Sequence, residues 1–184
     1  MNNHMKKHIL ALFLCLLSMS TALCQQKGHF LLGGGTSVIF GSGNPSILMY
    51  SLEAGISYNI LESLRLTGTL GGFRSVMSFG DDGWQPQTAN GPLARIGADY
   101  LFLPEGTAFR PSASLSVGYR LRVPPGADSP GLSGPPVRAD GAFLTAAAGT
   151  DVRIGGLCLS IALTGELTST LHPAAGIKLT VLLP

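Results

Sequence analysis

The chain has little charge and almost no cysteine. Only 12% of its 184 residues are charged, whereas about a quarter is usual for a soluble globular domain. Something other than surface charge must therefore keep it dispersed. Two of the three cysteines, Cys15 and Cys24, lie in the N-terminal segment, so Cys158 stands alone in the rest of the chain. That remainder has no partner for an internal disulfide and no cysteine-based metal site.

A hydrophobic run of membrane-spanning length is also missing. The uninterrupted apolar stretch near the N-terminus, residues 9–17, is too short to span a membrane as a helix. Lys6 and Lys7 precede it, and small and polar residues follow it, which is the order of a secretory signal peptide. We therefore predict a cleavable signal peptide over residues 1–24.

The expected cleavage site lies after Ala22 or Cys24, so that the mature chain starts near Gln25, and residues 25–184 are predicted to form one barrel domain. Leu23 favours ordinary cleavage over lipidation of Cys24, because the lipoprotein peptidase prefers a small residue before the modified cysteine. Cleavage removes two lysines, so that ten basic residues face ten acidic ones. A neutral mature chain gives no support to nucleic-acid binding.

Apolar residues alternate with small or polar ones over most of the chain after Gly28. Every even position is apolar in residues 48–60, and every odd position is apolar in residues 109–123. A period of two is typical of strands with one apolar and one polar face. Such stretches have the length, about 9 to 11 residues, with which a tilted strand crosses a bilayer. We predict strands at residues 30–40, 48–60, 64–76, 93–103, 109–123, 142–154, 157–167 and 175–183.

The connections between these strands alternate between short and long. Short turns are expected at residues 61–63, 104–108 and 155–156, and longer loops at residues 41–45, 77–92, 124–140 and 169–174. Transmembrane barrels show this asymmetry because their periplasmic turns are tight while their outer loops are free to grow. The predicted fold is an all-β, eight-stranded antiparallel up-and-down transmembrane β-barrel.

Two glycine pairs carry specific expectations. Gly155-Gly156 predicts a two-residue hairpin, and its register pairs Ile154 with Leu157, Asp151 with Ser160 and Thr145 with Glu166. A change of phase around Gly71-Gly72, between Leu70 and Phe73, predicts a β-bulge.

The content of the polar face indicates which side is inside. Glycine, serine, threonine and alanine dominate it, and such small residues suit the crowded interior of an eight-stranded barrel. Aromatic residues of the apolar face, such as Tyr50 with Tyr58 and Phe109 with Tyr119, are spaced like interfacial girdles. A soluble barrel with an apolar lumen remains the alternative, since it too has one apolar face.

Charged residues of the polar face are tolerable in a narrow lumen only when they are paired, so we predict a ladder of ion pairs. The excess of basic residues leaves open an anion-passing channel, although so narrow a barrel favours a plugged lumen. The predicted network comprises Glu53, Arg65, Arg95, Asp99, Arg110, Arg120, Arg122, Asp151, Arg153, Glu166 and Lys178.

The hairpin Gly55-Ile-Ser-Tyr-Asn-Ile-Leu-Glu-Ser-Leu-Arg-Leu66 has a strand ending in tyrosine, a short turn and a strand restarting with leucine. With the eight-strand pattern of residues 28–184, it resembles the small OmpA/OmpX type outer-membrane barrels, in particular short versions from Bacteroidetes-like bacteria. The resemblance implies the outer membrane of a Gram-negative bacterium, with membrane lipid and the barrel assembly machinery as partners. The chain departs from that family by ending in Leu182-Leu183-Pro184 without the aromatic residue that the machinery reads.

The function expected from this pattern is structural or one of surface contact, without enzymatic activity, cofactor or metal. The loops at 77–92 and 124–140 are the candidates for contact with an extracellular partner, whose identity the sequence does not indicate. Within the first loop, Trp84 beside Asp81 and Asp82 is the feature most suited to binding.

Two alternatives stay open. One is a lipid A-modifying enzyme, suggested by His172 near Ser169 and Glu166, although Ala174 stands where the His-x-Ser pattern of such enzymes needs serine. The other is a soluble periplasmic barrel that binds an apolar ligand. His29 and His172 lack acidic or cysteine neighbours at ligand spacing, so no metal site is predicted.

Overall fold

A computed structural model describes residues 28–42, 46–78, 87–104, 107–121, 141–168 and 173–184. Each strand pairs antiparallel with the next along the chain, and β8 pairs with β1 to close the sheet. The predicted eight-stranded antiparallel barrel is confirmed. The strands are β1 (Phe30–Gly41), β2 (Ser46–Leu61), β3 (Leu64–Ser78), β4 (Gln87–Leu101), β5 (Phe109–Arg120), β6 (Gly141–Ile154), β7 (Leu157–Thr168) and β8 (Ala174–Leu183).

We call the end of the barrel that holds the chain termini and the short turns the inner end, and the opposite end the outer end. The predicted signal peptide and most of the predicted outer loops lie outside the described residues. The residues that are described include no helix long and apolar enough to cross a membrane.

The predicted loop at residues 77–92 is wrong at both ends. β3 continues to Ser78, and β4 already begins at Gln87, so Pro92 pairs with Gly72 inside the sheet. Pro92 is tolerated because its carbonyl oxygen still accepts a hydrogen bond from the amide of Leu121, at 3.0 Å. The sequence misled here because the first half of β4 has polar residues outside and apolar ones inside, which reverses the alternation seen elsewhere.

The direction of the side chains in the middle of the barrel follows the prediction. On β2, Leu52 is 72% exposed on the outer wall while the adjacent Glu53 is 4% exposed in the lumen. On β5, Leu115 and Val117 are likewise exposed and Arg120 is buried. The alternative of a soluble barrel with an apolar lumen requires the opposite arrangement, so the structure contradicts it.

The glycine hairpin is confirmed and the predicted bulge is wrong. Gly155 has a positive φ of 61°, and β6 and β7 pair in the predicted register from Ile154 with Leu157 onward. In contrast, β2 and β3 pair without interruption across Gly71 and Gly72, and their register shifts only near Asn59. No bulge forms around Gly71 because Phe73 keeps its parity and turns inward, where it packs in an apolar cluster.

The lumen is divided into layers along the barrel axis. At the outer end, buried apolar side chains on the inner faces of β1 to β4 form a cluster that we call the outer plug. A smaller inner seal, formed by Leu31, Cys158 and Leu182, lies at the opposite end. Most of the charged side chains lie between these two groups. The outer plug consists of Ile39, Ile47, Met49, Phe73, Met77, Ala89 and Leu93.

Close approach of β2 and β3 depends on glycine. A Cβ atom added at Gly71 would lie 2.1 Å from the carbonyl oxygen of Leu52, which is far inside van der Waals contact. At Gly68, three residues away on the outer wall, nothing lies within 4 Å of the corresponding position.

We expect Gly71→Ala to lower the free energy of unfolding by about 1 to 3 kcal/mol, because the backbone of β2 must move away from the new methyl group. Urea unfolding of the protein in lipid vesicles measures the effect. Gly68→Ala is the matched control and should leave stability unchanged or slightly higher, since its side chain meets open space. Equal effects of the two substitutions would contradict the close approach.

Candidate functional site

The charged residues of the predicted network come from every strand except β1. Arg122 lies outside the described residues, and all the others occupy inward positions of their strands. They occupy these positions because inward side chains recur at every second residue of each strand. The described members are Glu53 on β2, Arg65 on β3, Arg95 and Asp99 on β4, Arg110 and Arg120 on β5, Asp151 and Arg153 on β6, Glu166 on β7 and Lys178 on β8.

Arg65 holds the inner part of the network together. Its Nε atom lies 2.9 Å from Oδ2 of Asp99 on the adjacent strand, and its Nη1 atom lies 2.8 Å from Oδ2 of Asp151. Asp151 is on β6, three strands away, so this second bond crosses the lumen. The thiol of Cys158 also donates to Asp151, at 3.6 Å. One buried guanidinium therefore ties opposite walls of the barrel.

Glu53 occupies the middle of the lumen. Its Oε1 atom lies 3.2 Å from Nη2 of Arg95 and accepts a hydrogen bond from the Ser51 hydroxyl at 3.0 Å. Its Oε2 atom accepts a hydrogen bond from the Thr69 hydroxyl at 2.6 Å. Both oxygens of this buried carboxylate are thus hydrogen-bonded, which is what burial of the charge requires.

Arg120 and Glu166 form the ion pair closest to the outer plug, and both side chains are buried. The guanidinium carbon of Arg120 lies 4.0 Å from the ring centre of Phe143 and 5.9 Å from that of Phe73. Arg95 approaches the same Phe143 ring at 5.2 Å. Cations attract the face of an aromatic ring, so Phe143 joins the two arginines where the polar layer meets the plug.

Arg110 binds backbone carbonyl groups of the inner connections. It is completely buried at the inner end, where Nε donates to the carbonyl oxygen of Leu103 at 2.8 Å and Nη2 donates to that of Glu62 at 2.6 Å. These carbonyls belong to two different inner connections. Arg110 therefore fastens the turns to each other.

Arg153 and Lys178 stand apart from the ion pairs. Among the described residues, neither has a carboxylate oxygen within the 4.0 Å that defines a salt bridge. Arg153 donates instead to the carbonyl oxygen of Gly155 at 3.4 Å, at the exposed inner rim. Lys178 lines a polar cavity of about 60 Å³ whose wall also includes Glu53 and Asp99.

Two phenylalanines of this site were not recognised as functional from the sequence. Phe73 and Phe143 share the inward parity of Ser75 and Thr145 on their strands. This inward parity predicts that both aromatic rings lie among the arginines. A prediction based only on charged residues does not include them.

The predicted contact residues Trp84, Asp81 and Asp82 lie outside the described residues, as do Ser169 and His172 of the enzymatic alternative. Glu166, the third member of that alternative, is paired with Arg120 in the lumen. Within the described ranges, no group of three histidine, cysteine, aspartate or glutamate side chains could hold a metal ion.

Solved structures with this fold include two barrels from Pseudomonas aeruginosa. The N-terminal β-barrel domain of OprF has a TM-score of 0.55 and 16% sequence identity, over 86% of this chain and 100% of that domain. The outer membrane protein OprG has a TM-score of 0.53 and 11% identity, over 88% of this chain and 96% of that one. At these identities the similarity is one of fold, that of a small OmpA-like barrel.

No protein-family model matches the sequence, and no curated protein matches it either.

We expect Arg65→Met to lower the free energy of unfolding by about 3 to 5 kcal/mol, because Asp99 and Asp151 would be left without their buried partner. The matched control is Arg153→Met, which removes an arginine at the exposed rim and should change stability by no more than about 0.5 kcal/mol. Urea unfolding followed by gel mobility measures both variants. A loss for Arg65→Met no larger than the control would contradict a structural role for the network.

Proposed function

We propose that this chain is an integral outer-membrane β-barrel protein of a Gram-negative bacterium, with a structural or surface-contact role. The observation that carries the proposal is the arrangement of the wall, which has large apolar side chains outside and buried ion pairs inside. Water cannot solvate such an exterior, whereas the hydrocarbon core of a bilayer can.

The exterior supports this assignment over the whole circumference. Every strand contributes exposed large apolar residues, so the apolar surface is a continuous belt rather than the isolated patches of a soluble monomer. Examples from successive strands are Leu32, Leu52, Leu70, Ile96, Leu115, Leu144, Leu163 and Ile177.

Aromatic side chains lie on the outer wall near both ends of the belt. At the inner end, the rings of Phe30 and Tyr58 lie 4.6 Å apart, and those of Tyr100 and Phe102 lie 5.1 Å apart. At the outer end, Tyr50 is exposed. Two aromatic girdles that flank an apolar band are typical of barrels that span the outer membrane.

We further propose that residues 1–24 are a cleaved signal peptide and that the barrel assembly machinery inserts the mature chain. Membership of the small OmpA/OmpX type barrels of Bacteroidetes-like bacteria belongs to the same proposal. The matching fold supports it, together with the order of charged, apolar and small residues at the N-terminus.

A plugged lumen is favoured over an open pore. The outer plug places buried apolar side chains from β1 to β4 in the lumen, and ion pairs bridge the space below it. We assign no enzymatic activity, because Glu166 is engaged by Arg120 in the lumen and does not face the lipid. The contact function would then reside in the outer connections, including the segment around Trp84.

Fractionation of the native cells tests the location. We expect the protein in the washed outer-membrane fraction, with a folded form that migrates differently on gels until it is heated. Protease added to intact cells should cut between residues 79–86 or 122–140. Recovery in the soluble periplasmic fraction without a heat-modifiable form would contradict the proposal.

Planar bilayer recording tests the plugged lumen. We expect the reconstituted wild-type protein to show no conductance above the lipid background, because the outer plug and the ion pairs occupy the lumen. Anion-selective steps from the wild-type protein would instead support the channel that the excess of basic residues suggested.

A further inference from the structure

Among the described strand residues, Arg74 is the only charged one whose side chain lies on the outer wall. It is exposed on β3 with the same outward parity as Leu70 and Gly72. The other charged residues of the described strands take inward positions. A charge on this wall therefore breaks the pattern that the rest of the barrel keeps.

The height of Arg74 in the barrel suits a membrane interface. It lies four residues before Ser78, where β3 ends at the outer end, and it pairs across the sheet with Tyr50 and Asn90. Tyr50 is one of the exposed aromatic residues near that end. Charged side chains on the lipid face are expensive at the midplane and cheap near the interface. The guanidinium thus lies at the level of lipid headgroups, where a phosphate can accept two parallel hydrogen bonds from it.

A strip of small outward residues, which we call the track, extends along the wall from Arg74 toward the inner end. The outward residues below it on β3 and β4 include Gly72, Pro92 and Ala94, which have little bulk. Leu70, which pairs with Ala94 and is 70% exposed, projects from the wall along one side of this path. The track ends at an apolar groove of about 570 Å³. Its walls include Ile56, Leu66, Ile96 and Leu115, and Gly68 and Ala98 contribute no bulk to its floor.

The two features are separated by a distance that one acyl chain can span. Gly68 and Arg74 are six residues apart on the same strand, which corresponds to about 15 Å of membrane depth for a tilted strand. This is about the length of one acyl chain, since two of them make up a hydrocarbon core of about 30 Å. The groove reaches Tyr58 near the inner end, so it lies beyond the middle of the apolar belt. A lipid whose headgroup meets Arg74 would therefore place the ends of its acyl chains in the groove.

We propose that Arg74 and the groove at Gly68 form one binding site for a phosphorylated glycolipid of the outer leaflet. The lipid phosphate binds the guanidinium, and an acyl chain lies along the track into the groove. The site rests on the proposed outer-membrane location, because that location puts the outer end of the barrel in the glycolipid leaflet.

Native mass spectrometry of the detergent-purified protein with lipid A tests the site. We expect the wild-type protein to bind bis-phosphorylated lipid A about tenfold more tightly than dephosphorylated lipid A. Arg74→Gln should abolish this preference, and Arg74→Lys should keep part of it. Arg153→Gln, which removes an arginine at the opposite end, should behave like the wild type.

A large side chain at Gly68 tests whether the groove contributes to lipid binding. A side chain at Gly68 meets nothing within 4 Å, and the same is true at Gly165 on the far side of the barrel, so both positions accept a larger residue. Gly68→Leu should weaken binding of both forms of lipid A, whereas the matched control Gly165→Leu should not.

Equal binding of the two lipids by the wild type, or equal binding by the wild type and Arg74→Gln, would overturn the site. So would wild-type binding of phosphatidylglycerol as tight as that of lipid A. Heat-modifiable migration and outer-membrane fractionation of each variant separate this failure from a failure of the proposed function. A protein that fractionates correctly without lipid preference overturns the site alone.

Discussion

Closure of eight strands into one small barrel is the constraint on which the rest of the structure depends. Closure leaves no free sheet edge, and alternation along each strand sends every second side chain into a lumen only wide enough for side chains. A charge that is buried at an inward position must therefore find a partner of opposite charge or hydrogen bonds inside the barrel. Arg65, Arg95 and Arg120 each meet a carboxylate from another strand for this reason. The outer wall is left apolar, and this is what makes a bilayer the environment that fits it.

The layers of the lumen explain how a barrel of this kind can act as an anchor rather than as a passage. Three of the four ion pairs among the described residues join strands that are not neighbours, and the outer plug lies at the end from which the longer connections leave. Phe73 links these two layers, because it belongs to the plug and its ring centre lies 5.9 Å from the guanidinium carbon of Arg120. These bonds across the lumen brace the wall from which the outer connections extend, which suits the proposed surface-contact role.

The sequence predicted the fold where the contrast between faces is strong. Residues 48–60 and 109–123 alternate apolar with small or polar side chains, and the structure has β2 and β5 there. Prediction failed at the outer end, where Ala89 and Leu93 turn inward while Thr88 and Asn90 face outward. There the apolar residues pack against each other in the plug, so polarity no longer reports which face is outside. Phe73 was misread as a bulge for the same reason.

The alternation of inward and outward positions predicted which charged residues lie in the lumen. It did not predict which of them form pairs. The contact between Arg65 and Asp151 crosses the lumen between residues far apart in sequence, and the barrel curvature alone determines that distance. The backbone bonds of Arg110 to two inner connections were equally out of reach of a pattern based on charge. The site for lipid at Arg74 depends on the register of β3 with β2 and β4, which a single sequence does not provide.

Contact between lipid and the apolar wall is the central claim, and a nitroxide scan of β5 measures it most directly. Residues 113–119 would be replaced singly by spin-labelled cysteine in a Cys158→Ser background, and the protein reconstituted in bilayers. Collision with oxygen, which concentrates in the hydrocarbon, should peak at Ala113, Leu115 and Val117 and fall at Ser114 and Ser116. Maxima at the serines, or no alternation at all, would contradict the account.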